Sequence, residues 1–212
     1  VILADIYAAR EKDPGDICTR DIVTRLEALG TEVYYFPTFK EIEEFVKAKL
    51  KPSRFIHSIG VMEMSVLLAS RFGVDVEKAK VAGIYHDAYR YDSTPGSIEL
   101  VEKNGYRVWP EERKDPMLLH GALAAINFDS DAGCAVSSDM KDAVRHHTLG
   151  HISMGKLGGI LYIADYAEKG RKHISEDERR EILGKETLES MIIYIMDKSR
   201  GYLLSCGIEE AG

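Results

Sequence analysis

The residues able to do chemistry in this chain are histidines and aspartates set in apolar segments. His86 and Asp87 are adjacent at the end of the run Val81-Ala-Gly-Ile-Tyr-His-Asp. An imidazole and a carboxylate on a segment that must otherwise be buried are costly unless something pairs with them. A metal ion is the expected partner. His57 lies upstream, His120, His147 and Asp165 lie downstream, and each falls on a separate helix by pattern. Met140, Val144 and His147 share one helical face, whereas His146 lies with Asp139 and Asp142 on the polar side. His147 is therefore expected to point inward and His146 outward. Leu157, Leu161 and Asp165 form a second apolar stripe ending in a carboxylate, which needs a cation or donors such as an arginine. His57 and His120, taken alone, read more often as satisfied core histidines. His151 and His173 read as surface residues.

Four histidines and two aspartates make a nitrogen and oxygen ligand set. It suits iron, manganese, cobalt or zinc rather than a thiolate-preferring metal. Asp87 is central enough to bridge two cations. Two cations about 3.5–4 Å apart clamp attacking and leaving oxygens and make a hydroxide at neutral pH. Phosphoester or phosphoanhydride hydrolysis is the chemistry that most needs such a pair.

The elements that must position these groups are helices. From Ser53 onward the pattern is helices and short loops without convincing strands. Gly73 is expected to end the helix carrying His57, and Asp75 to cap the next one. Residues 91–114 read as loop with a short helix around Ile98 and Val101, closed by Gly105. Asp115-Pro116 starts the helix carrying His120. Ser137 or Ser138 caps the helix ending at His146-His147, and Ser175-Glu-Asp-Glu178 has the capping-box pattern. Leu188, Met191, Ile192, Ile195, Met196 and Leu203 form a core stripe on the last helix.

The first fifty residues differ. Val1-Ile-Leu-Ala-Asp and Glu32-Val-Tyr-Tyr-Phe36 read as strands flanking a helix with Ile22, Val23, Leu26 and Leu29. One β-α-β unit cannot bury enough apolar surface to stand alone. Phe39, Ile42, Val46 and Leu50 then share one face of a helix that could serve either segment. The boundary is expected near residue 50, with 1–50 as the β-α-β appendage and 51–212 as the helical unit.

At 212 residues, 45% hydrophobic and 30% charged, the chain fits a soluble globular protein of one ordinary domain with an appendage. A net charge of -7 argues against a general nucleic-acid or anionic-membrane binder. Cys18, Cys134 and Cys206 are too few and too scattered for a disulfide framework, so buried thiols in a reducing, cytoplasmic setting are expected. No apolar run of about 18 residues is evident, so no membrane span is expected.

Two resemblances follow from quoted motifs. Asp5-Ile-Tyr-Ala-Ala-Arg-Glu-Lys12 with Tyr34-Tyr-Phe-Pro-Thr38 resembles the C-terminal domain of UDP-N-acetylmuramate–alanine ligases over about residues 1–50. The chain has no Gly-x-x-x-x-Gly-Lys-[Ser/Thr] loop and no room for that enzyme's central domain, so ligase activity is not carried over. The order His57, His86-Asp87, His120, His147, Asp165 resembles the HD-domain metal phosphohydrolases. Residues of about 40–206 resemble its YqeK-type members, the symmetrical dinucleoside tetraphosphate hydrolases. The matching motifs are Arg54-x-x-His57-Ser-x-Gly60-Val, Ala82-Gly-x-x-His86-Asp87, Leu119-His120-Gly, His147-Thr148-x-Gly150 and Ala164-Asp165-Tyr-x-Glu168-x-Gly170-Arg171.

That resemblance implies an all-α HD-domain helical bundle with a two-metal centre, iron first, holding divalent or mixed-valence ions. It implies cleavage of diadenosine tetraphosphate to two ADP by a metal-bound hydroxide. It makes His57, His86, Asp87, His120, His147 and Asp165 the metal set, with Asp87 as bridge. Arg54, Arg90, Thr148, Gly150 and Arg171 become the substrate-side residues, Asp87 and Arg90 acting in catalysis. A small-molecule nucleotide is the implied partner; a homodimer stays open, and so does action on a dNTP or cyclic dinucleotide, or a non-catalytic nucleotide-binding role. Two positions depart from the family pattern. Arg90 stands where the family has a lysine, keeping charge but not the point-like ammonium. Gly159 stands where it has another lysine. Tyr89, Tyr91 and Trp109 are also unusual in and beside the 91–114 segment.

Overall fold

The computed structural model describes residues 39–133 and 135–205, together with a few isolated positions before residue 36. Among the latter, Ile2–Leu3 (β1) pairs in parallel with Tyr34–Tyr35 (β2), Ile2 opposite Tyr34. Of the helix expected between them only Arg25 and Ala28, both helical, and the turn residue Leu29 are described, and the β-α-β unit as a whole lies outside the described residues. Cys18, Cys134 and Cys206 lie outside them too.

The rest is helical. The helices are α1 Phe39–Lys49, α2 Pro52–Phe72, α3 Val76–Tyr85, α4 Ser97–Lys103 and α5 Pro110–Lys114. A 3-10 turn at Pro116–Leu119 runs into α6 His120–Ala132. Then come α7 Ser138–His146, α8 Lys156–Ala167, α9 Glu176–Leu183 and α10 Leu188–Ser205. The helix that could serve either segment, α1, buries Ile42, Val46 and Leu50 in the main helical core.

Pro52 occupies the first turn of α2, where its missing N–H costs nothing, and Gly73 closes the helix at φ 65°. Asp75 caps α3 by accepting from the N–H groups of Glu77 and Lys78. The two helices then touch closely: a Cβ on Gly83 would meet the Cα of Met62 at 2.7 Å. Only glycine permits that approach, and it sets His86 beside His57. The same device recurs where α6 meets α7. A Cβ on Gly121 would lie 2.9 Å from the Val144 carbonyl oxygen, and the contact sets His120 beside His147. α2 is the one described helix long and apolar enough by composition to cross a membrane. It runs instead through the bundle, with Val61, Leu68 and Ala69 buried among α3 and α8 side chains.

Residues 91–114 hold more structure than a loop with one helix. α5 is a second helix, started by Pro110 and by Glu112, which accepts from the Trp109 N–H at 2.9 Å. Fully buried Glu112 also takes a two-pronged contact from Arg145 of α7, at 2.6 and 2.8 Å. The stripe on α10 is buried at Leu188, Met191 and Ile195, but Met196 and Leu203 are 38% and 43% exposed. Neighbouring helices cover only the first half of that helix.

Candidate metal centre

Asp87 follows directly on the C-cap residue of α3 and is 2% exposed. Its Oδ1 lies 3.2 Å from His120 Nε2 and 3.9 Å from His147 Nε2. Its Oδ2 lies 3.4 Å from His86 Nε2 and 3.8 Å from His57 Nε2. The two oxygens thus face two different pairs of imidazoles. Asp165, from α8, places Oδ1 at 2.9 Å from His57 Nε2 and 3.8 Å from His86 Nε2. All six residues singled out from the sequence meet here. Two groups have ligand atoms within 4.8 Å of one another: His57 with His86 and Asp165, and His86 with Asp87 and His147.

The ring tautomers follow from the surroundings. His86 Nδ1 is 2.7 Å from the Gly83 oxygen, His120 Nδ1 2.7 Å from the Met117 oxygen, and His147 Nδ1 2.7 Å from the Val144 oxygen. A carbonyl only accepts, so each Nδ1 carries a proton, and in the neutral ring Nε2 turns a lone pair inward. His86 and His147 are the C-caps of their helices, and His120 stands at the junction of the 3-10 turn with α6. Carbonyls of a last helical turn lack helical donors and are free to accept. His57 differs: its Nδ1 faces a carboxylate, Glu168 Oε1, at 3.0 Å.

These residues fit a metal. His57 Nε2, His86 Nε2 and Asp87 Oδ2 are buried without a hydrogen-bond partner, although His57 Nε2 is close to Asp165 and Asp87 Oδ2 is ion-paired with Arg54. Orphaned buried polar atoms are costly, and a cation among them removes the cost. Burial and the neighbouring His86 and His120 push His147 down to about 3, which keeps it neutral. Burial alone would raise Asp87, but His86 and His120 beside it hold it well below the usual carboxylate range. Asp165 is likewise held low, burial being outweighed by His57 and Arg171.

Three arginines border the cluster. Arg54 Nη1 lies 2.9 Å from Asp87 Oδ2. Arg171 pairs with Asp165 through Nη2 and donates from Nε to its carbonyl at 2.7 Å. Arg90 Nη1 lies 3.3 and 3.4 Å from the two ring nitrogens of His120. Thr148 Oγ1 is 3.0 Å from His147 Nε2 and 3.2 Å from His120 Nε2. A Cβ on Gly150 would meet Met196 at 3.1 Å. A cavity of about 550 Å³ opens beside His57, lined by Arg54, Tyr91, Glu168, Arg171 and Lys172 among others. His146 is half-buried and stacks on His151 at 4.6 Å, so His151 is less of a surface residue than its loop suggested.

Sequence reasoning gave no role to Glu168, Arg179 or the Arg145–Glu112 pair. The Pro110-Glu-Glu112 start signal was available for α5; the pairings themselves join residues far apart in the chain.

A helical bundle with this His/Asp centre defines a class: the HD domain family model matches residues 54–200, and the chain belongs to that family. It is 30% identical over 164 residues to the symmetrical bis(5'-nucleosyl)-tetraphosphatase of Bacillus subtilis, covering 73% of this chain and 86% of that protein. The protein of the same name from Staphylococcus aureus is 27% identical over 163 residues, or 75% and 81% of the two chains. A crystal structure from Clostridium acetobutylicum, named as an HD superfamily hydrolase involved in NAD metabolism, matches with a TM-score of 0.73. Its identity is 28%, over 83% of this chain and 92% of that one. The N-terminal stretch is 54% identical over 46 residues to the UDP-N-acetylmuramate–L-alanine ligase of Lachnoclostridium phytofermentans, only 10% of that enzyme.

Proposed function

We propose that this chain is a metal-dependent hydrolase that cleaves diadenosine tetraphosphate symmetrically into two ADP. The supporting observation is the division of Asp87, one oxygen toward His120 and His147 and the other toward His86 and His57. His57, His86 and Asp165 would hold one cation and His120 and His147 a second, with Asp87 between them; iron is first choice. Such a pair, when bound, supplies charge stabilisation and water activation at neutral pH. The chain's own residues do the rest. Arg54 and Arg171 border the cavity and take phosphate charge, Arg90 stabilises charge developing at the bridge, and Thr148 and Gly150 belong to the nucleotide side. ADP is already a good leaving group, so no strong general acid is required. The nucleotide partner, the cytoplasmic setting and the division near residue 50 belong to the same proposal.

The test is product chromatography with purified, metal-loaded protein after elemental analysis. ADP as sole product is expected; intact substrate, or AMP with ATP, sinks the assignment. A second reading, action on another nucleotide, draws on the name of the Clostridium acetobutylicum relative. NAD, dNTPs and cyclic dinucleotides therefore join the panel.

A further inference from the structure

Glu168 is 3% exposed and stands at the C-cap of α8, where ψ of 154° turns the chain out of the helix. Its Oε1 faces His57 Nδ1 at 3.0 Å, and its Oε2 accepts the Gly170 N–H. The slot it fills is narrow. A Cβ on Gly60 would come within 2.5 Å of Oε2, and one on Gly170 within 2.9 Å. Arg179 of α9, 4% exposed, holds the turn from behind. Its guanidinium donates to the carbonyls of Ala167 at 2.8 Å, Glu168 at 3.1 Å and Arg171 at 3.2 Å. One clamped turn thus delivers Glu168 to His57 and Arg171 to Asp165.

The other three cluster histidines give their Nδ1 protons to neutral backbone carbonyls; His57 alone faces a carboxylate. A carboxylate acceptor fixes the ring, pins the tautomer and makes the opposite nitrogen a stronger ligand. We infer that Glu168 is a positioning residue for one half of the centre: by orienting His57 it sets cation occupancy of the His57–His86–Asp165 group and leaves the His120–His147 side alone. The inference rests on the metal reading above, and it divides the two cations into one supported by a buried carboxylate and one held against backbone carbonyls.

The test is calorimetric titration of manganese(II) into the metal-stripped protein. Wild type should show two classes of site. Glu168→Ala is expected to weaken one class by about 10–100-fold and to leave the other within about twofold. Glu168→Gln keeps an oxygen for His57 and should fall between, with a metal-free melting temperature that reports its fold. Arg179→Lys should weaken the same class, by less. Unchanged affinity in both classes for the Glu168 variants overturns the inference, and so does equal loss in both, which marks a merely structural residue. Wild-type protein that takes up no manganese fails differently: it removes the metal reading, and the inference with it.

Discussion

The Nε2 atoms of His120 and His147 face each other at 3.1 Å. Each ring has given its Nδ1 proton to a backbone carbonyl, so two lone pairs converge. The Thr148 hydroxyl can donate to only one of them at a time. A proton on His147 is a poor remedy, since burial and neighbouring histidines hold it down to about 3. A cation between the rings uses both lone pairs at once.

Metal should therefore stabilise the fold. At a hundredfold excess over Kd a single site adds about 2.7 kcal/mol. For a domain of this size that corresponds to roughly 5–10 °C in Tm. Thermal melts with manganese and with a chelator check it. In His147→Ala the metal-dependent shift should shrink sharply; a wild-type melt indifferent to both additives contradicts the expectation.

Uptake should also depend on pH. Burial lowers the pKa of His86, but the charge and hydrogen bond of Asp87, with Asp165, raise it above 6.5. A folded value above the unfolded one stabilises the metal-free protein below pH 6.5, and that contribution is lost as pH rises through the raised value. A cation needs the same Nε2 and must displace that proton. Manganese affinity should rise by up to about tenfold per pH unit while metal-free Tm falls. His147 and His146, lowered to about 3 and about 4, act in the opposite sense, their stabilisation being lost as pH falls below 6.5. The window to measure is therefore about pH 7 to 9. A flat affinity across it counts against the assignment of His86.

Asp87 and Arg90 should separate in mutants. Asp87→Ala removes the group between the two halves of the centre, so metal content and turnover should both collapse. Arg90→Ala should retain the metals and lose on the order of 10²–10³ in kcat, as removal of a charge-stabilising donor does. Arg90→Lys keeps the charge and should lose less. Elemental analysis beside steady-state kinetics checks all three, and metal loss in Arg90→Ala contradicts the division of roles.

Local pattern was enough for some of this. The helical face separating His147 from His146 is recovered as a buried ring against a half-buried one. The Leu157 and Leu161 stripe does point Asp165 at the cluster, and Gly73, Asp75 and Ser175 end or start helices where their chemistry says they should. His57 and His120 were undecidable alone because their partners lie on other helices. Glu168 stands in a quoted motif but without a role, for the same reason: its worth comes from a ring 111 residues away and from two glycines that make room. Arg145 and Glu112 pair across 33 residues, a distance no periodicity spans. Met196 and Leu203 failed because a stripe reveals which face is apolar, not whether a neighbour covers it.

A lysine at Gly159, as the resemblance expects, would meet tight packing. Gly159 is buried on α8, and a Cβ there would meet Ile192 Cδ1 of α10 at 3.0 Å. Gly159→Ala gains helix propensity of up to about 1 kcal/mol and offsets it by pushing Ile192, so near-neutral stability is expected. Gly159→Lys restores the family pattern but must wedge a long charged chain between two packed helices. It should cost about 1–3 kcal/mol or more, about 2–4 °C in Tm per kcal/mol, without raising turnover. Denaturant melts with parallel activity measurements decide the matter. A variant as stable as wild type and faster would mean that α10 yields, and that the glycine records a loss of function rather than a different packing.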